Sequence, residues 1–509
     1  MSSRVRIDVD GSSIEVDAAK SLAAALLDAG IGATRTSVRG EPRGPLCGMG
    51  VCFECRATVD DVPHVRTCMT PVRDGLRVRT GAVSPVAPPA ASAVPNLTRS
   101  WDADVVVIGA GPAGLAAACA AAERGKRVLV LDDNVESGGQ IWRRDASKPA
   151  ATWRARAADL GVTMQASTTV VGPQGERALL AVKGDAACIV RYEALVLATG
   201  AVERFVPFPG WTLPRVFGAG GAQALAKAGL AVDGARVVVV GSGPLLLAVA
   251  HSWAARGARV LAVIEQAPRA RVHGFALGLL RRPSKLAQAA VLRARLARVP
   301  FRYGHWPTRV EAQGDALRLR VSDGQREVEF AADFIACGFG LAPEVRLAAV
   351  LGCRIDDGAV VVDEDQRTSV PHVFCAGEST GVGGVDKALL EGACAGAAAA
   401  GDRSVGASST RARARERRFA ADLARAFALR AELRSLAEPT TIVCRCEDVT
   451  RAELRGCSTW RDAKLQTRIG MGPCQGRVCG AAAGFVCGYT VADARPPVFN
   501  VPLATLTAR

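Results

Sequence analysis

The run Gly109-Ala110-Gly111-Pro112-Ala113-Gly114 constrains the fold of this chain more than any other feature. It lies between a short apolar run, Val105 to Ile108, and an alanine-rich stretch. Each glycine has its own reason. The first permits a tight turn, the second lets the backbone approach a pyrophosphate, and the third lets helix and strand pack closely. Asp132 follows Gly109 by 23 residues and ends the next apolar run, Val128 to Leu131, with Asp133 beside it. A carboxylate there is placed to accept from ribose hydroxyls. Strand, glycine turn, helix, strand and acid make a full dinucleotide-binding fingerprint. Its expected binding residues are Gly109, Gly111, Pro112, Ala113, Gly114, Asp132 and Asp133.

The pattern recurs. Gly241-Ser242-Gly243-Pro244-Leu245-Leu246 follows the strand-like Val237 to Val240, and Glu265 ends the next one. Gly241 and Gly243 supply the turn, and Glu265 is placed to hold an adenosine ribose and to disfavour a 2′-phosphate. Leu246 stands where the third glycine belongs and is expected to push the helix outward. The second unit therefore predicts binding of NAD or another adenine nucleotide without efficient hydride transfer, with a vestigial fold as the alternative. Two such units in one chain define an α/β fold with two dinucleotide-binding domains.

Cysteine spacing carries the second message. Cys47, Cys52, Cys55 and Cys68 are spaced C-x4-C-x2-C-x12-C, with Gly44, Gly48 and Gly50 in the same loop. The first three spacings are the plant-type [2Fe–2S] pattern. Zinc rarely takes three cysteines inside nine residues with a four-residue gap. Cys52 and Cys55 also match a redox C-x-x-C, but without a thioredoxin-like context. Cys444, Cys446, Cys474 and Cys479 form a second set, C-x-C-x27-C-x4-C, with glycines at 470, 472, 476 and 480. Zinc is the rival there, since C-x4-C suits a zinc knuckle; C-x-C is awkward for a tetrahedral turn and favours a cluster. Cys457 and Cys487 are weak further ligand candidates. The remaining cysteines read as small buried hydrophobes, and His64 as structural.

With 509 residues, 49% of them hydrophobic, the chain is long enough for about three domains. Strands around Asp10-Gly11 and a helix from Lys20 to Ala29 open a β-grasp domain. Sixteen cysteines with no signal region point to a reducing, cytoplasmic setting and to metal ligation, not to disulfides. No apolar run is long enough to span a membrane. The net charge of +15 is mostly arginine, densest from Arg411 to Arg434. That run has only Phe419 and Phe427 as aromatics and reads as a solvated basic helix, or a face for an acidic protein partner, so no nucleic-acid partner is expected.

Further runs carry a resemblance. Gly138-Gly139-Gln140, Ala198-Thr199-Gly200 and Cys375-Ala376-Gly377-Glu378 follow the first fingerprint in order. The chain resembles flavoproteins with the glutathione-reductase-like fold, which implies FAD on the first unit, near Gly139, Gln140, Thr199, Gly200, Gly377 and Glu378. Glu378 replaces the family's usual Asp. The C-x-x-C of the disulfide reductases is missing from 102 to 400. The second cysteine set resembles the [2Fe–2S] domain of bacterioferritin-associated ferredoxin, with a longer final gap. The order PRGPLCGMGVCFEC, GSGPLLLAVA, GESTGVGGVDKALLEG and CRCEDVT…GMGPCQGRVCG resembles the electron-transfer subunits of hydrogen cyanide synthase, opine oxidase and D-hydroxyproline dehydrogenase. The α subunits of dye-linked proline dehydrogenase and sarcosine oxidase look related.

That resemblance implies a partner similar to D-amino-acid oxidase, oxidation of a C–N bond by the complex, and electron delivery to a quinone-side or dye acceptor. It also implies an FMN at a subunit interface and membrane association only through the complex. No catalytic side chain is expected in this chain. The expected domains are a β-grasp [2Fe–2S] domain at 1–81, a linker at 82–100, and an FAD domain at 101–204 and 333–400. A second nucleotide domain spans 205–332, a basic helical connector 401–439, and a cysteine-rich [2Fe–2S] domain with its tail 440–509. A free-standing NADH:acceptor reductase and a redox sensor or scaffold with structural FAD remain as alternatives.

Overall fold

The computed structural model describes residues 3–81, 97–145, 147–184, 186–490, 494–501 and 503–506. The chain forms two units, one of Met1–Ala87, Glu203–Gly340 and Leu423–Val491, the other of Pro88–Val202, Leu341–Asp422 and Ala492–Arg509.

In the first unit, Arg4–Val9 and Ser12–Asp17 pair antiparallel through a turn at Asp10 and Gly11, both at positive φ. That is the two-residue hairpin turn whose twist matches the strands. They join Arg77–Arg79, Arg56–Val59 and Val62–Arg66 in a five-stranded sheet. The helix Leu22–Asp28 is apolar on every side and is buried from Leu22 to Leu27; the Ser21 hydroxyl caps it by accepting from the Ala24 N–H. This is the expected β-grasp.

The same unit holds a five-stranded parallel sheet in the order Val216–Gly218, Phe334–Gly338, Arg236–Gly241, Arg259–Glu265 and Phe301–Tyr303. Val237 to Val240 are fully buried, as a strand covered on both faces requires. A hairpin of Ile442–Cys444 and Val449–Thr450 and the helices Trp460–Thr467 and Cys479–Cys487 form the cysteine-rich part. One apolar cluster runs through the unit, from Leu46, Cys47 and Cys52 by Phe205, Phe208 and Trp211 to Val443, Cys444, Trp460 and Cys474.

In the second unit, Leu97–Ile108, Val128–Leu131 and Thr163–Gln165 run parallel; Ala186–Leu197 continues the sheet and also pairs with Val373–Cys375. The helix Val385–Ala399 lies against Pro112–Ala122 at close range. A Cβ at Gly392 would sit 2.2 Å from the Ala113 carbonyl oxygen, and one at Gly396 2.0 Å from that of Ala117.

Three expectations shift. The strand Leu97–Ile108 starts inside the stretch assigned to the linker, because its ladder with Ala186–Leu197 extends back to Leu97; residues 82–96 lie outside the described residues. The basic run is a helix only to Ala426, followed by a 3-10 turn at Ala431–Ser435. Nor is it wholly solvated: Arg413 is 1% exposed, donating to the carbonyls of Glu364 (2.6 Å) and Gly406 (2.7 Å). The tail beyond the cysteine-rich part belongs to the second unit, where the Val498 N–H donates to the Val171 carbonyl at 2.9 Å and its side chain is buried.

Candidate functional site

The first glycine run divides by function. Gly109 has φ 104°, and a Cβ there would lie 2.3 Å from the Ala198 carbonyl oxygen; one at Gly114 would lie 1.8 Å from that of Gly109. Both are required by the fold. Gly111 is different. A Cβ there meets only the Gly139 Cα, at 3.8 Å, so the space over it is open to a ligand. Pro112 begins the helix, where its missing N–H costs nothing, and Ala113 is buried beneath it. Asp132 accepts from the Ala110 N–H at 2.5 Å and from the Asn134 N–H and Nδ2, both at 2.8 Å. Its carboxylate is thereby fixed beside the turn. Asp133 accepts from Asn134 Nδ2 at 3.2 Å, and Gln140 from Arg143 at 3.1 Å.

Glu378 bears most directly on a bound group. Its Oε1 accepts from the N–H groups of Gly383 (3.3 Å) and Gly384 (2.8 Å), while Oε2 is buried without a partner among the described residues. A buried carboxylate oxygen left unmatched is costly unless a donor arrives. A polyhydroxylated chain such as the flavin's ribityl group supplies one, so these residues fit FAD. The Thr199 hydroxyl donates to the Glu344 carbonyl at 2.7 Å and lies 3.0 Å from Ser379 Oγ. It fastens Gly200, which has φ 74°.

The sequence reading missed Lys387 and Glu391. They form a buried pair at 2.8 Å, one helical turn apart. Lys387 donates to the Gly377 carbonyl at 2.9 Å, and Glu391 accepts from the Gly377 N–H at 3.1 Å and from Thr380 at 2.7 Å. Together they hold the Gly377-Glu378 turn. Their i, i+4 spacing in an otherwise apolar helix was the available signal.

In the second fingerprint, Gly241 also abuts a neighbouring strand, with a Cβ there 1.7 Å from the Gly338 carbonyl oxygen, whereas Gly243 faces open space. Leu246 is taken into the core at 2% exposure. Glu265 is fully engaged by its own turn: Oε1 accepts from Ser242 Oγ (3.0 Å) and the Ala267 N–H (2.8 Å), and Oε2 from the Gly243 N–H (2.7 Å). Burial raises its pKa to about 7 against those donors. The segment 427–430 lies on this turn. Ser242 Oγ contacts the Phe427 carbonyl at 3.1 Å, Gln266 Nε2 donates to that of Ala428 at 3.3 Å, and Gln266 Oε1 accepts from the Arg430 N–H at 3.1 Å.

Both cysteine sets assemble. All eight thiols are buried. In the first set Cys47 meets Cys52 and Cys55 meets Cys68; in the second Cys479 meets both Cys444 and Cys474, and Cys474 also meets Cys446. In each set two thiols ionise more readily, Cys47 and Cys55 or Cys444 and Cys474, and the other two less. Burial would raise Cys47, but the Cys52 thiol and the N–H groups of Met49, Cys52 and Val51 bring it down to about 6. The Cys446 and Cys479 thiols hold Cys474 well below the usual thiol range. Among the described residues no group of three or more His, Cys, Asp and Glu side chains gathers as around a single ion. A [2Fe–2S] cluster takes four thiolates, and each set supplies four. Gly472 permits the second set to close, since a Cβ there would lie 2.3 Å from Cys446 Cβ. Cys457 and Cys487 flank Tyr489 instead; its hydroxyl donates to the Cys457 carbonyl at 3.2 Å. His64 contacts Arg56 at 3.2 Å.

Two acidic residues bind the sets to their surroundings. Glu54, between Cys52 and Cys55, is wholly buried between Arg35 (2.6 Å) and Arg445 (2.7 Å). Glu203 caps the helix Ala219–Lys227, accepting from the Gly220 N–H at 2.7 Å, where a Cβ at Gly221 would strike the Leu46 carbonyl oxygen at 2.1 Å.

Comparison with known proteins agrees with this geometry. Residues 103–395 match the pyridine nucleotide-disulphide oxidoreductase family, and residues 2–82 the 2Fe-2S iron-sulfur cluster binding domain. The HcnB subunit of hydrogen cyanide synthase from Pseudomonas protegens is 34% identical over 421 residues, covering 74% of this chain and 89% of that protein. An opine oxidase subunit from Rhizobium meliloti is 34% identical over 427 residues, 75% of this chain and 90% of that protein. The crystal structure of L-proline dehydrogenase from P. horikoshii covers 100% of this chain and 98% of its own, with a TM-score of 0.72 at 20% identity, a likeness of fold. No helix among the described residues is long and apolar enough to cross a membrane.

Proposed function

Since the chain belongs to the pyridine nucleotide-disulphide oxidoreductase family, and within it to the relatives of HcnB and the opine oxidase subunit, we propose that it relays electrons for an amino- or imino-acid dehydrogenase or oxidase complex. It does so with FAD on the 103–395 unit, one [2Fe–2S] cluster on Cys47, Cys52, Cys55 and Cys68, and a second on Cys444, Cys446, Cys474 and Cys479. Bound FAD supplies the exchange between two-electron and one-electron chemistry, and the clusters the one-electron steps. The chain's own residues hold these groups. Gly111 leaves room for the pyrophosphate, Asp132 and Glu378 offer acceptors, and the buried thiols ligate iron.

The observation that carries the reading is the burial of all eight thiols within one unit, beside a similarity over 74% and 75% of the chain to HcnB and to the opine oxidase subunit. Substrate oxidation then belongs to a partner flavoprotein similar to D-amino-acid oxidase, with glycine, an opine, proline or hydroxyproline as the substrate. An FMN at the interface with that partner, a quinone-side or dye acceptor, and membrane association through the complex are parts of the same proposal. The NADH-fed reductase is the weaker reading. The carbonyls of Phe427 and Ala428 already lie on Ser242 and Gln266 of the second turn.

Purified alone, the protein is expected to reduce no dye with glycine, proline, hydroxyproline or opines. Co-expressed with its partner, it should form a stable hetero-oligomer that reduces dye with one of them. Oxidation of any amino acid by the isolated chain at roughly 1 per second or faster, the lower end of ordinary turnover, overturns the proposal.

A further inference from the structure

The two cysteine sets lie far apart in the sequence, and nothing in their spacing says whether they exchange electrons with each other or separately with the flavin. A buried charge network between them bears on that question. Glu54 belongs to the first cysteine loop, one residue before Cys55, and Arg445 stands between Cys444 and Cys446. They meet at 2.7 Å, with Arg445 at 2% and Glu54 at 0% exposure. Arg35 closes a triad, donating to Glu54 at 2.6 Å and to the Arg445 backbone carbonyl at 3.2 Å. Arg445 also donates to the Trp211 carbonyl at 3.0 Å and stacks its guanidinium over that ring at 5.1 Å. A second buried link, Arg43 to Asp448 at 2.9 Å, joins the residues just before Cys47 to those just after Cys446.

Two physical consequences follow. A buried ion pair of this kind is a poor source of stability but a good source of register, because any slip leaves a charge unpaired in a low-dielectric interior. The first is therefore geometric: the two cysteine loops are locked to each other through side chains one residue away from ligands on either side. The second is electrostatic. Three arginines face two carboxylates, so one positive charge is in excess. The Nε–H groups of Arg35 and Arg43 are buried and find no partner among the described residues. A cluster gains negative charge on reduction, and a nearby net positive charge favours that state. The Cys446 thiol is within charge range of Arg35 and Glu54.

We propose that Arg35, Arg43, Glu54, Arg445 and Asp448 form a bridge that makes the two clusters consecutive members of one relay and sets both of their potentials through a shared buried charge. This rests on the reading of both cysteine sets as [2Fe–2S] sites. The five are positioning residues, with no contact to substrate required. The bridge predicts coupled behaviour. Neutralising one of its acids should make both clusters easier to reduce, and neutralising one of its arginines should make both harder.

The test is an EPR-monitored redox titration of the full chain with its iron loaded. Wild type should show two signals, with mutual broadening when both clusters are reduced. Glu54→Gln is expected to raise the reduction equilibrium of both clusters about tenfold or more, about 59 mV for a one-electron couple. Arg43→Gln should lower both. The charge-compensated double variant Glu54→Gln/Arg35→Gln should return both toward wild type, a recovery that packing damage alone would not produce. If Glu54→Gln fails to assemble its clusters, Arg43→Gln still tests the bridge, by lowering the potentials of both.

Two wild-type signals of which only one moves, or neither, overturn the bridge and leave the cluster reading intact. A wild-type chain with a single signal and stoichiometric zinc overturns the second-cluster reading, and the bridge with it.

Discussion

Glu203 offers a measurement that depends on a single buried proton. Its carboxylate is enclosed in the first unit, accepting N–H groups at the start of the helix Ala219–Lys227, and desolvation outweighs those donors to push its pKa from 4.5 up to about 8. In the unfolded chain it titrates near the ordinary value, so between pH 4.5 and 8 the folded state holds a proton that the unfolded state has released. Stability is then full below about pH 4.5, falls by roughly 1.4 kcal/mol per pH unit across that window, and levels off above pH 8. From pH 5.5 to 7.5 the loss amounts to about 3 kcal/mol. Glu203→Gln keeps the shape and one acceptor and removes the titration. At pH 5.5 the variant should equal wild type or fall about 1 kcal/mol short, for an imperfect hydrogen bond. At pH 8.5 it should be the more stable of the two by about 4 kcal/mol, or about 4 °C in Tm at roughly 1 °C per kcal/mol for a chain of this length. Thermal melts of the iron-loaded proteins from pH 5 to 9 decide it. Parallel curves for the two proteins would refute the reasoning, since they would mean that Glu203 ionises equally in both states.

Gly111→Val should fold, because a Cβ at Gly111 meets only the Gly139 Cα at 3.8 Å, yet lose FAD at least tenfold by absorbance. Gly114→Ala, whose Cβ would lie 1.8 Å from the Gly109 carbonyl oxygen, should fail to fold; full FAD content in a folded Gly111→Val protein would move the binding site elsewhere. Anaerobically purified protein should carry four irons and four acid-labile sulfides per chain, with Cys52→Ser removing one EPR signal and Cys446→Ser the other. Zinc in place of the second signal would refute that assignment. NADH should reduce the flavin slowly if at all in stopped flow, given the closure of Ser242 and Gln266 by 427–430, and rapid stoichiometric bleaching would establish the reductase reading instead.

The dinucleotide-binding fold and the N-terminal 2Fe-2S domain were legible from local spacing. The Gly109-to-Asp132 interval specifies a turn and an acid that a Rossmann strand pair brings together whatever surrounds them, and Asp132 does lie on the Ala110 N–H. Cys47, Cys52 and Cys55 are close in the chain, so one loop can gather them. The β-grasp was legible for the same reason, through its alternating strands and the positive-φ turn at Asp10-Gly11. The features that were not legible involve residues whose partners lie hundreds of positions away. Arg445 meets Glu54 across 391 residues and Asp448 meets Arg43 across 405; nothing in local composition marks these among 64 basic residues. Arg413 looked like one more solvated arginine until the Glu364 and Gly406 carbonyls proved to enclose it. The closure of the second nucleotide turn by 427–430 was equally illegible, since main-chain carbonyls carry no sequence signature. Periodicity and spacing report what a segment does to itself. Burial and charge pairing report what distant segments do to each other, and only the folded chain brings those together.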